Sequence, residues 1–409
     1  MSEFSFPKDR IQITLMENVH ESAVEVLSRA GYNTVEQIKG GLEGDELKAR
    51  LAHTHILGIR SRTQLTHDVL HAAPKLMAVG CFCIGTNQVD LDAACALGIP
   101  VFNAPHANTR SVAELVLAEI VMLCRRLGDR NNEMHRGVWQ KALFGSCEVR
   151  GKTLGIVGYG HIGSQVSILA ESFGMRVLYH DIEPKLAMGN AQQVGTLDEL
   201  LQQVDLLTLH VPDLPETRNL IGLQEMARMK QGSMLINASR GGVVDLLALK
   251  ANIDRGHLAG AALDVFPVEP KANNEPFVHP LQNTPNVVLT PHMGGNTAEA
   301  QKNIGLEVAR KLVGYSDWGS SIGAVNFPEL SLPAHAGAHR VLHIHRNQPG
   351  VLGAINRALA ESGANVAGQH LQTRGDVGYV VIDIEASHHH ELHERLRAVP
   401  GTIKCRVLY

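Results

Sequence analysis

A glycine-rich turn between an apolar strand and a helix constrains the fold of this chain more than any other segment. The apolar run TLGIV leads into Gly158-Tyr-Gly160-His-Ile-Gly163, which is followed by a helical stretch and the apolar run RVLYHD. Gly158 allows a tight turn, Gly160 lets the backbone approach a pyrophosphate, and Gly163 lets helix and strand pack closely. The N–H groups at the helix N-terminus attract phosphate charge. The segment therefore predicts a dinucleotide site in a Rossmann unit.

Asp181, at the end of the second apolar run, predicts which dinucleotide binds. A carboxylate at this position accepts hydrogen bonds from the adenosine ribose hydroxyls and repels a 2'-phosphate. The next two residues are Ile182 and Glu183, so no arginine offsets that repulsion. We therefore expect NAD rather than NADP.

Apolar runs and helical stretches alternate along most of the chain, which predicts parallel, doubly wound α/β sheets. This pattern divides the chain into a first α/β lobe over residues 1–108 and a Rossmann lobe over residues 109–295. At the start of the Rossmann lobe, Ser111 and Glu114 fit a capping box on a helix through Arg125. Its six expected strands are TLGIVG, RVLYHD, DLLTLHVP, SMLINAS, LAGAALDVF and NVVLTPH.

The C-terminal part differs in pattern from the two lobes. Residues 316–338 are rich in Gly, Ser and Pro and lack helical periodicity, so we interpret them as a linker with its domain boundary at 331–338. Residues 339–409 follow a βαββαβ order, which is typical of an α+β ferredoxin-like domain.

Composition excludes several classes of protein. The net charge of -4 gives no basic excess for nucleic acid. The N-terminus lacks the apolar stretch of a signal peptide, and the run Leu115–Cys124 is interrupted by Glu119, so we expect no membrane span. The six cysteines lack paired spacing, which predicts reduced thiols in a cytoplasm and no metal site. We interpret His388, His389 and His390 as solvated surface.

Three residues that follow expected strands are candidates for catalysis. Arg240 follows SMLINAS, Glu269 follows LAGAALDVF, and His292 follows NVVLTP. Ligands of doubly wound folds bind at these strand ends. A histidine paired with a carboxylate is a tunable acid and base, and an arginine binds a carboxylate through two hydrogen bonds. A lone histidine at a strand end is as often structural, but the order of the three residues favours interconversion of a hydroxy acid and a keto acid.

Longer blocks of sequence around these residues resemble a known family, the D-isomer-specific 2-hydroxyacid dehydrogenases. The blocks are GIVGYGHIG, LINASRGGVVD, AGAALDVFPVEP and LTPHMGGNT, and similarity in RSRTQLT, HANTRSVAEL, HRGVW and IHRNQPGVL extends it over nearly the whole chain. The resemblance implies that Arg240, Glu269 and His292 are catalytic. It also implies NAD contacts at Gly158, Gly160, His161, Ile162, Gly163, Asp181, Ala238, Ser239, Arg240, Asp264, His292, Met293, Gly294 and Gly295.

The resemblance further implies that the first lobe is flavodoxin-like, is completed by residues 296–330 and binds the substrate. It also implies which substrate that is. It is strongest to the branch of the family that oxidises 3-phospho-D-glycerate to 3-phosphohydroxypyruvate, the first step of L-serine biosynthesis. The implied substrate-binding residues are Arg60, Ser61, Arg62, Asn108, Arg110 and Lys141. A cytoplasmic homotetramer is implied as well, with Trp139 anchoring a dimer and Lys141 reaching a neighbouring subunit.

The C-terminal domain resembles an ACT domain, which in this branch binds L-serine between paired domains and inhibits the enzyme. The matching residues are His345, Asn347 and Asn365. The segment Ala336-Gly337-Ala338 departs from the usual double glycine before this domain, which leaves the strength of inhibition open.

Two alternatives remain. A related dehydrogenase of the same fold would act on glyoxylate, hydroxypyruvate or 2-oxoglutarate, and 2-oxoglutarate is also plausible as a second substrate. An NAD-sensing binding protein, similar to transcriptional corepressors of this fold, would be of another class. The ACT-like C-terminus argues against it.

Overall fold

The computed structural model describes residues 7–141, 145–270, 274–333, 339–385 and 390–408. His388, His389 and the segment 336–338 lie outside these ranges. The chain divides into two compact units, residues 1–107 with 301–409, and residues 108–300. Among the described helices, none has the length and apolar character needed to cross a membrane.

Residues 7–107 of the first unit form a five-stranded parallel sheet and four helices. The strands are β1 (Ile13–Leu15), β2 (Val35–Gln37), β3 (Ile56–Ile59), β4 (Ala78–Cys81) and β5 (Val101–Phe102). The helices are α1 (Glu21–Arg29), α2 (Gly44–Leu51), α3 (His67–His71) and α4 (Leu91–Ala96). The order β2-β1-β3-β4-β5 is the predicted flavodoxin-like arrangement. Strand β2 was not predicted, because it is short, polar and exposed.

The described part of residues 108–300 forms a second parallel sheet, of seven strands. They are β6 (Thr153–Val157), β7 (Arg176–His180), β8 (Gln192–Gln193), β9 (Leu206–Leu209), β10 (Ser233–Asn237), β11 (Leu258–Leu263) and β12 (Val287–Leu289). The helices are α5 (Thr109–Arg125), α6 (Leu127–His135), α7 (His161–Ser172), α8 (Leu197–Gln203), α9 (Leu223–Arg228) and α10 (Leu246–Asp254). The order β12-β11-β10-β9-β6-β7-β8 confirms the Rossmann prediction.

The predicted capping box at the start of α5 is wrong. The helix begins at Thr109 with Asn108 as its N-cap, three residues earlier than expected, so Ser111 and Glu114 lie inside it. The Ser111 hydroxyl lies 2.8 Å from the Thr297 hydroxyl, and Glu114 accepts a 2.6 Å hydrogen bond from Arg110 Nε. Both side chains therefore bond elsewhere than to the helix N-terminus.

The predicted linker is also wrong over most of its described length. Helix α11 (Ala298–Trp318) includes the first three residues of that segment. Beyond it, Phe327, Leu330 and Leu332 are buried in the core of the first unit. The buried Ser321 hydroxyl donates to the Pro328 carbonyl at 2.7 Å. Composition resembled a linker, but a few apolar side chains anchor the chain in the core.

The C-terminal domain has the predicted βαββαβ order. Its elements are β13 (His339–Arg346), α12 (Val351–Glu361), β14 (Val366–Arg374), β15 (Val377–Ile384), α13 (His390–Arg397) and β16 (Thr402–Leu408). The antiparallel strand order β14-β15-β13-β16 is ferredoxin-like. Side chains of β13 alternate between two cores: Val341 packs with the helices, whereas Leu342 and Ile344 pack with Phe327. Arg340 is almost fully buried and forms two hydrogen bonds to Asp383.

Candidate active site

The glycine-rich turn has the geometry that its sequence predicts. Gly158 has a φ of 91°, and a Cβ there would lie 2.8 Å from the His210 carbonyl oxygen. A Cβ on Gly163 would collide with the carbonyl oxygen of Gly158. Gly160, which precedes α7, has open space within 4 Å of its Cβ position. That open backbone at a helix N-terminus fits a pyrophosphate.

The expected ribose ligand lies beside this turn. Asp181 follows β7, and its carboxylate accepts hydrogen bonds from Tyr159 N at 2.7 Å and Glu183 N at 3.0 Å. His161 and Ile162 form the first turn of α7. The turn and the carboxylate thus meet at the carboxyl ends of β6 and β7, and together they fit an adenosine diphosphate group.

A buried amide shapes the turn after β10. Asn237 accepts hydrogen bonds from Ser239 N and Ser239 Oγ at 3.0 and 2.8 Å, and it donates to the Arg240 carbonyl at 2.9 Å. The next residue, Gly241, lies so close to Phe266 that a Cβ would collide with its carbonyl group. This close approach brings the loop that carries Arg240 against the loop that follows β11.

Asp264 fixes the turn that contains His292. Its buried carboxylate accepts hydrogen bonds from Thr290 Oγ1 at 2.6 Å and from the N–H groups of Met293 and Gly294 at 2.8 Å each. His292 has a φ of 51°, an uncommon backbone conformation for a residue other than glycine. Three hydrogen bonds to one carboxylate hold the backbone in this conformation.

The three candidate catalytic residues come together at these strand ends. His292 Nδ1 lies 2.8 Å from Glu269 Oε2, and Glu269 Oε1 accepts a 3.0 Å hydrogen bond from Phe266 N. Arg240 is close enough to shift the pKa of both His292 and Glu269. Because Nδ1 faces Glu269, Nε2 is the His292 nitrogen that can meet a substrate.

The pair is tuned as an acid and its counter-ion. The hydrogen bond that His292 Nδ1 donates to Glu269 raises the pKa of His292, against the opposing effects of burial and of Arg240. Burial alone would raise the pKa of Glu269, but hydrogen bonds from His292 and from Phe266 N lower it below its usual range. Glu269 is therefore ionised near neutral pH, and His292 titrates at a higher pH than an isolated imidazole.

The first unit carries the loop Arg60-Ser61-Arg62 directly after β3. Ser61 and Arg62 are exposed, but their backbone is held from below. Glu17 accepts a hydrogen bond from Arg62 N, and Gln88 donates one to the Arg60 carbonyl. Glu17 and Gln88 were given no role in the sequence-based predictions, because each lies far from this loop in sequence.

Three further predicted substrate ligands lie in the second unit. The side-chain amide of Asn108 packs against Gly295, where a Cβ would force it to move. Arg110 forms a salt bridge with Glu114 of α5. Lys141 is exposed, and Trp139 is 77% exposed, which is unusual for an aromatic side chain of its size.

The predicted serine ligands do not come together within one ACT domain. His345 is buried on β13, and burial lowers its pKa. Asn347 follows β13 near the start of β15, where Arg346 pairs with Val377. Asn365 precedes β14 near the opposite end of β15, where Val366 pairs with Ile384. A site that includes both asparagines therefore needs two domains.

Comparisons with known proteins agree with this geometry. Residues 117–294 match the family model for the D-isomer specific 2-hydroxyacid dehydrogenase NAD binding domain, and residues 341–404 match an AHAS small subunit-like ACT domain. Full-length relatives are 56% identical to this chain. The chain belongs to the D-isomer specific 2-hydroxyacid dehydrogenase family and is an NAD-dependent oxidoreductase.

Those full-length relatives share one name. Proteins named D-3-phosphoglycerate dehydrogenase from Haemophilus influenzae and Escherichia coli strain K12 are each 56% identical over 100% of both chains. A crystal structure of D-lactate dehydrogenase from Aquifex aeolicus, complexed with NAD and lactic acid, is similar with a TM-score of 0.67 and 26% identity. The match covers 78% of this chain and 100% of that one. The resemblance inferred from the sequence blocks is confirmed.

Proposed function

We propose that this protein oxidises 3-phospho-D-glycerate to 3-phosphohydroxypyruvate with NAD, at the start of L-serine biosynthesis. The observation that carries the proposal is the pair of His292 and Glu269 at 2.8 Å beside Arg240. The full-length identity to enzymes named D-3-phosphoglycerate dehydrogenase supports the choice of substrate.

In the proposed reaction His292 Nε2 accepts the proton of the substrate's 2-hydroxyl group. NAD, when bound, would accept the hydride that leaves C2 of the substrate. Glu269 stabilises the imidazolium that forms and fixes the ring through Nδ1. Arg240 binds the carboxylate and polarises the neighbouring carbonyl in the reverse direction. In reduction, the same proton returns from His292 to the carbonyl oxygen.

Basic side chains that could bind both the phosphate and the carboxylate of the substrate support the choice of a phosphorylated acid. We assign phosphate and carboxylate binding to the loop Arg60-Ser61-Arg62, with Asn108, Arg110 and Lys141 as further ligands. Among the described residues, no salt bridge occupies Arg60 or Arg62, so their guanidinium groups are available to an anion. Arg110 must release its glutamate partner to take part.

The test is NADH oxidation with phosphohydroxypyruvate, hydroxypyruvate, glyoxylate and 2-oxoglutarate. We expect the highest kcat/KM for phosphohydroxypyruvate, and Arg60→Ala should raise the KM for that substrate far more than for glyoxylate. An equal or higher kcat/KM for an unphosphorylated acid would overturn the assignment. Activity with 2-oxoglutarate alongside phosphohydroxypyruvate would add a second substrate.

We further propose that L-serine inhibits the enzyme by binding between ACT domains of two subunits in a homotetramer. His345 and Asn347 of one domain would act with Asn365 of another, which suits their positions at opposite ends of β15. The exposed Trp139 side chain supports a subunit contact. Serine should lower kcat in the wild type and leave the Asn365→Ala variant active, and light scattering should give the mass of a tetramer. Full wild-type activity with millimolar serine would contradict regulation.

A further inference from the structure

The loop that carries Arg60 and Arg62 combines exposed side chains with an unusually well-fixed backbone. Thr63 N donates to Glu17 Oε1 at 2.9 Å, and Arg62 N donates to Glu17 Oε2 at 3.0 Å. Each oxygen of one carboxylate therefore holds one N–H group of the loop. Glu17 is only 7% exposed, so these hydrogen bonds are shielded from water.

A second buried side chain holds the start of the same loop. Gln88 Nε2 donates to the Arg60 carbonyl at 2.6 Å, and Gln88 is 7% exposed. The Gln88 carbonyl also accepts a 2.8 Å hydrogen bond from Leu65 N. The backbone is thus fixed at both ends by Gln88 and in the middle by Glu17, whereas the side chains of Ser61 and Arg62 remain exposed.

The position of Glu17 requires an unfavourable backbone conformation. Glu17 and Asn18 follow β1 with φ angles of 64° and 54°, and neither is a glycine. Such conformations cost about 1 to 3 kcal/mol each and persist mainly where the surrounding structure enforces them, often at functional sites. Glu17 N donates to the Gly40 carbonyl at 3.1 Å, which anchors the turn.

The carboxylate of Glu17 and the guanidinium groups of the loop have separate roles. The Glu17 carboxylate is satisfied by backbone N–H groups and not by the guanidinium groups of Arg60 and Arg62. The loop is therefore ordered without using the cations that a substrate anion needs. An ordered loop loses less conformational entropy when the anion binds, so affinity is higher.

We propose that Glu17 and Gln88 are positioning residues that set affinity for the substrate by fixing the backbone of Arg60–Thr63. This inference rests on the proposed function, because it assumes that Arg60 and Arg62 bind the anionic substrate. Both residues act through the backbone of the loop and not through contact with the substrate.

The test measures steady-state kinetics of Glu17→Gln and Gln88→Met in the full chain. Gln at position 17 leaves one acceptor for two N–H groups, and Met at position 88 keeps the side-chain length but removes the donor. We expect each variant to raise the KM for 3-phosphoglycerate about tenfold, because a small misplacement of binding groups is costly, with the KM for NAD unchanged. Glu36→Gln is the matched control, since Glu36 is an exposed carboxylate of the same unit paired with Arg50.

A double-mutant cycle distinguishes positioning from general stability. If Glu17 acts through Arg60 and Arg62, Glu17→Gln should add little to the KM for 3-phosphoglycerate of an Arg60→Ala, Arg62→Ala double variant. The reason is that the effects of coupled residues are not additive. Full additivity, or a rise in the KM for NAD equal to that for 3-phosphoglycerate, would overturn the inference. Circular dichroism and thermal melting confirm folding, and Gln88→Met tests the same idea if the Glu17 variant unfolds.

The outcomes also separate this inference from the proposed function. An unchanged KM in the Arg60→Ala, Arg62→Ala variant overturns the assignment of the loop to the substrate. A raised KM in that variant, together with an unchanged KM in Glu17→Gln and Gln88→Met, overturns only the positioning role. A lowered KM in Glu17→Gln would mean that the carboxylate acts as a repelling charge and not as an anchor.

Discussion

Replacing Glu269 with glutamine should move the pH dependence of both reaction directions. The variant keeps one oxygen that can accept from His292 Nδ1, at the expense of the hydrogen bond from Phe266 N, and removes the negative charge 2.8 Å away. At that distance, two unit charges interact by about 1.5 kcal/mol in a medium as polar as water. Because the His292 side chain is 51% exposed, this low value is the appropriate one. Losing it changes the ratio of charged to neutral imidazole about tenfold in favour of the neutral form, which lowers the pKa of His292.

The two directions need opposite protonation states of His292. Oxidation needs the neutral imidazole, so kcat/KM for the hydroxy acid rises with pH through the His292 pKa. Reduction needs the imidazolium, so kcat/KM for the keto acid falls through the same pKa. Since Glu269 raises the pKa of His292, Glu269→Gln should shift both limbs to lower pH. On the falling limb, reduction should therefore be about tenfold slower than in the wild type, beyond any change that is independent of pH.

Rates of NADH oxidation and NAD reduction, measured at saturating cofactor over the whole pH range in which the enzyme stays folded, test this shift. Asp198→Asn is a suitable control, because Asp198 is an exposed carboxylate of the same unit paired with Arg228. A Glu269→Gln profile that is lower at every pH but unshifted would refute the electrostatic reasoning and leave Glu269 with an orienting role only.

Three further changes test other parts of the second unit. Asp181→Ala should weaken NAD binding and reduce the preference for NAD over NADP; equal ratios of kcat/KM in wild type and variant would place the ribose ligand elsewhere. Gly163→Ala should lower the thermal midpoint and NAD affinity together, because its Cβ collides with the Gly158 carbonyl, and calorimetry measures both. Glu119 is buried, and desolvation and Asp264 raise its pKa to about 8, so the free energy of unfolding falls as pH rises from about 5 to 8. Glu119→Gln should flatten that dependence in urea titrations, and an unchanged slope would contradict it.

The strands of the second unit could be predicted because both faces of its sheet are buried. Residues such as Leu154, Ile156 and Leu235 have no exposed surface, which is why the strands appear as continuous apolar runs. The candidate site followed from the same pattern. In a parallel sheet all strands end at one edge, so residues that follow β10, β11 and β12 meet there.

Other features depend on contacts that local sequence does not encode. Helix α5 begins at Thr109 and not at Ser111, because Ser111 pairs with Thr297, 186 positions away in sequence. Residues 316–332 have the composition of a linker, yet Phe327 and Leu330 are buried in the core of the first unit. Glu17 was invisible for the same reason, since its carboxylate bonds residues 45 and 46 positions further along.

The candidate side chains lie on loops at the strand ends, but hydrogen bonds to buried groups fix the backbone of these loops. Each candidate side chain stands on a turn held by a buried polar group that does not itself face the reaction: Asn237 holds the turn of Arg240, Asp264 holds the turn of His292, and Phe266 N holds Glu269. Such hydrogen bonds to charged or buried groups contribute more than exposed ones, because water cannot replace them. The accuracy of the site therefore depends on these supporting residues as much as on the side chains that meet the substrate. If Glu17 and Gln88 do the same for Arg60 and Arg62, both units follow one rule. Buried polar groups fix the backbone, and the charged side chains remain free to bind the substrate.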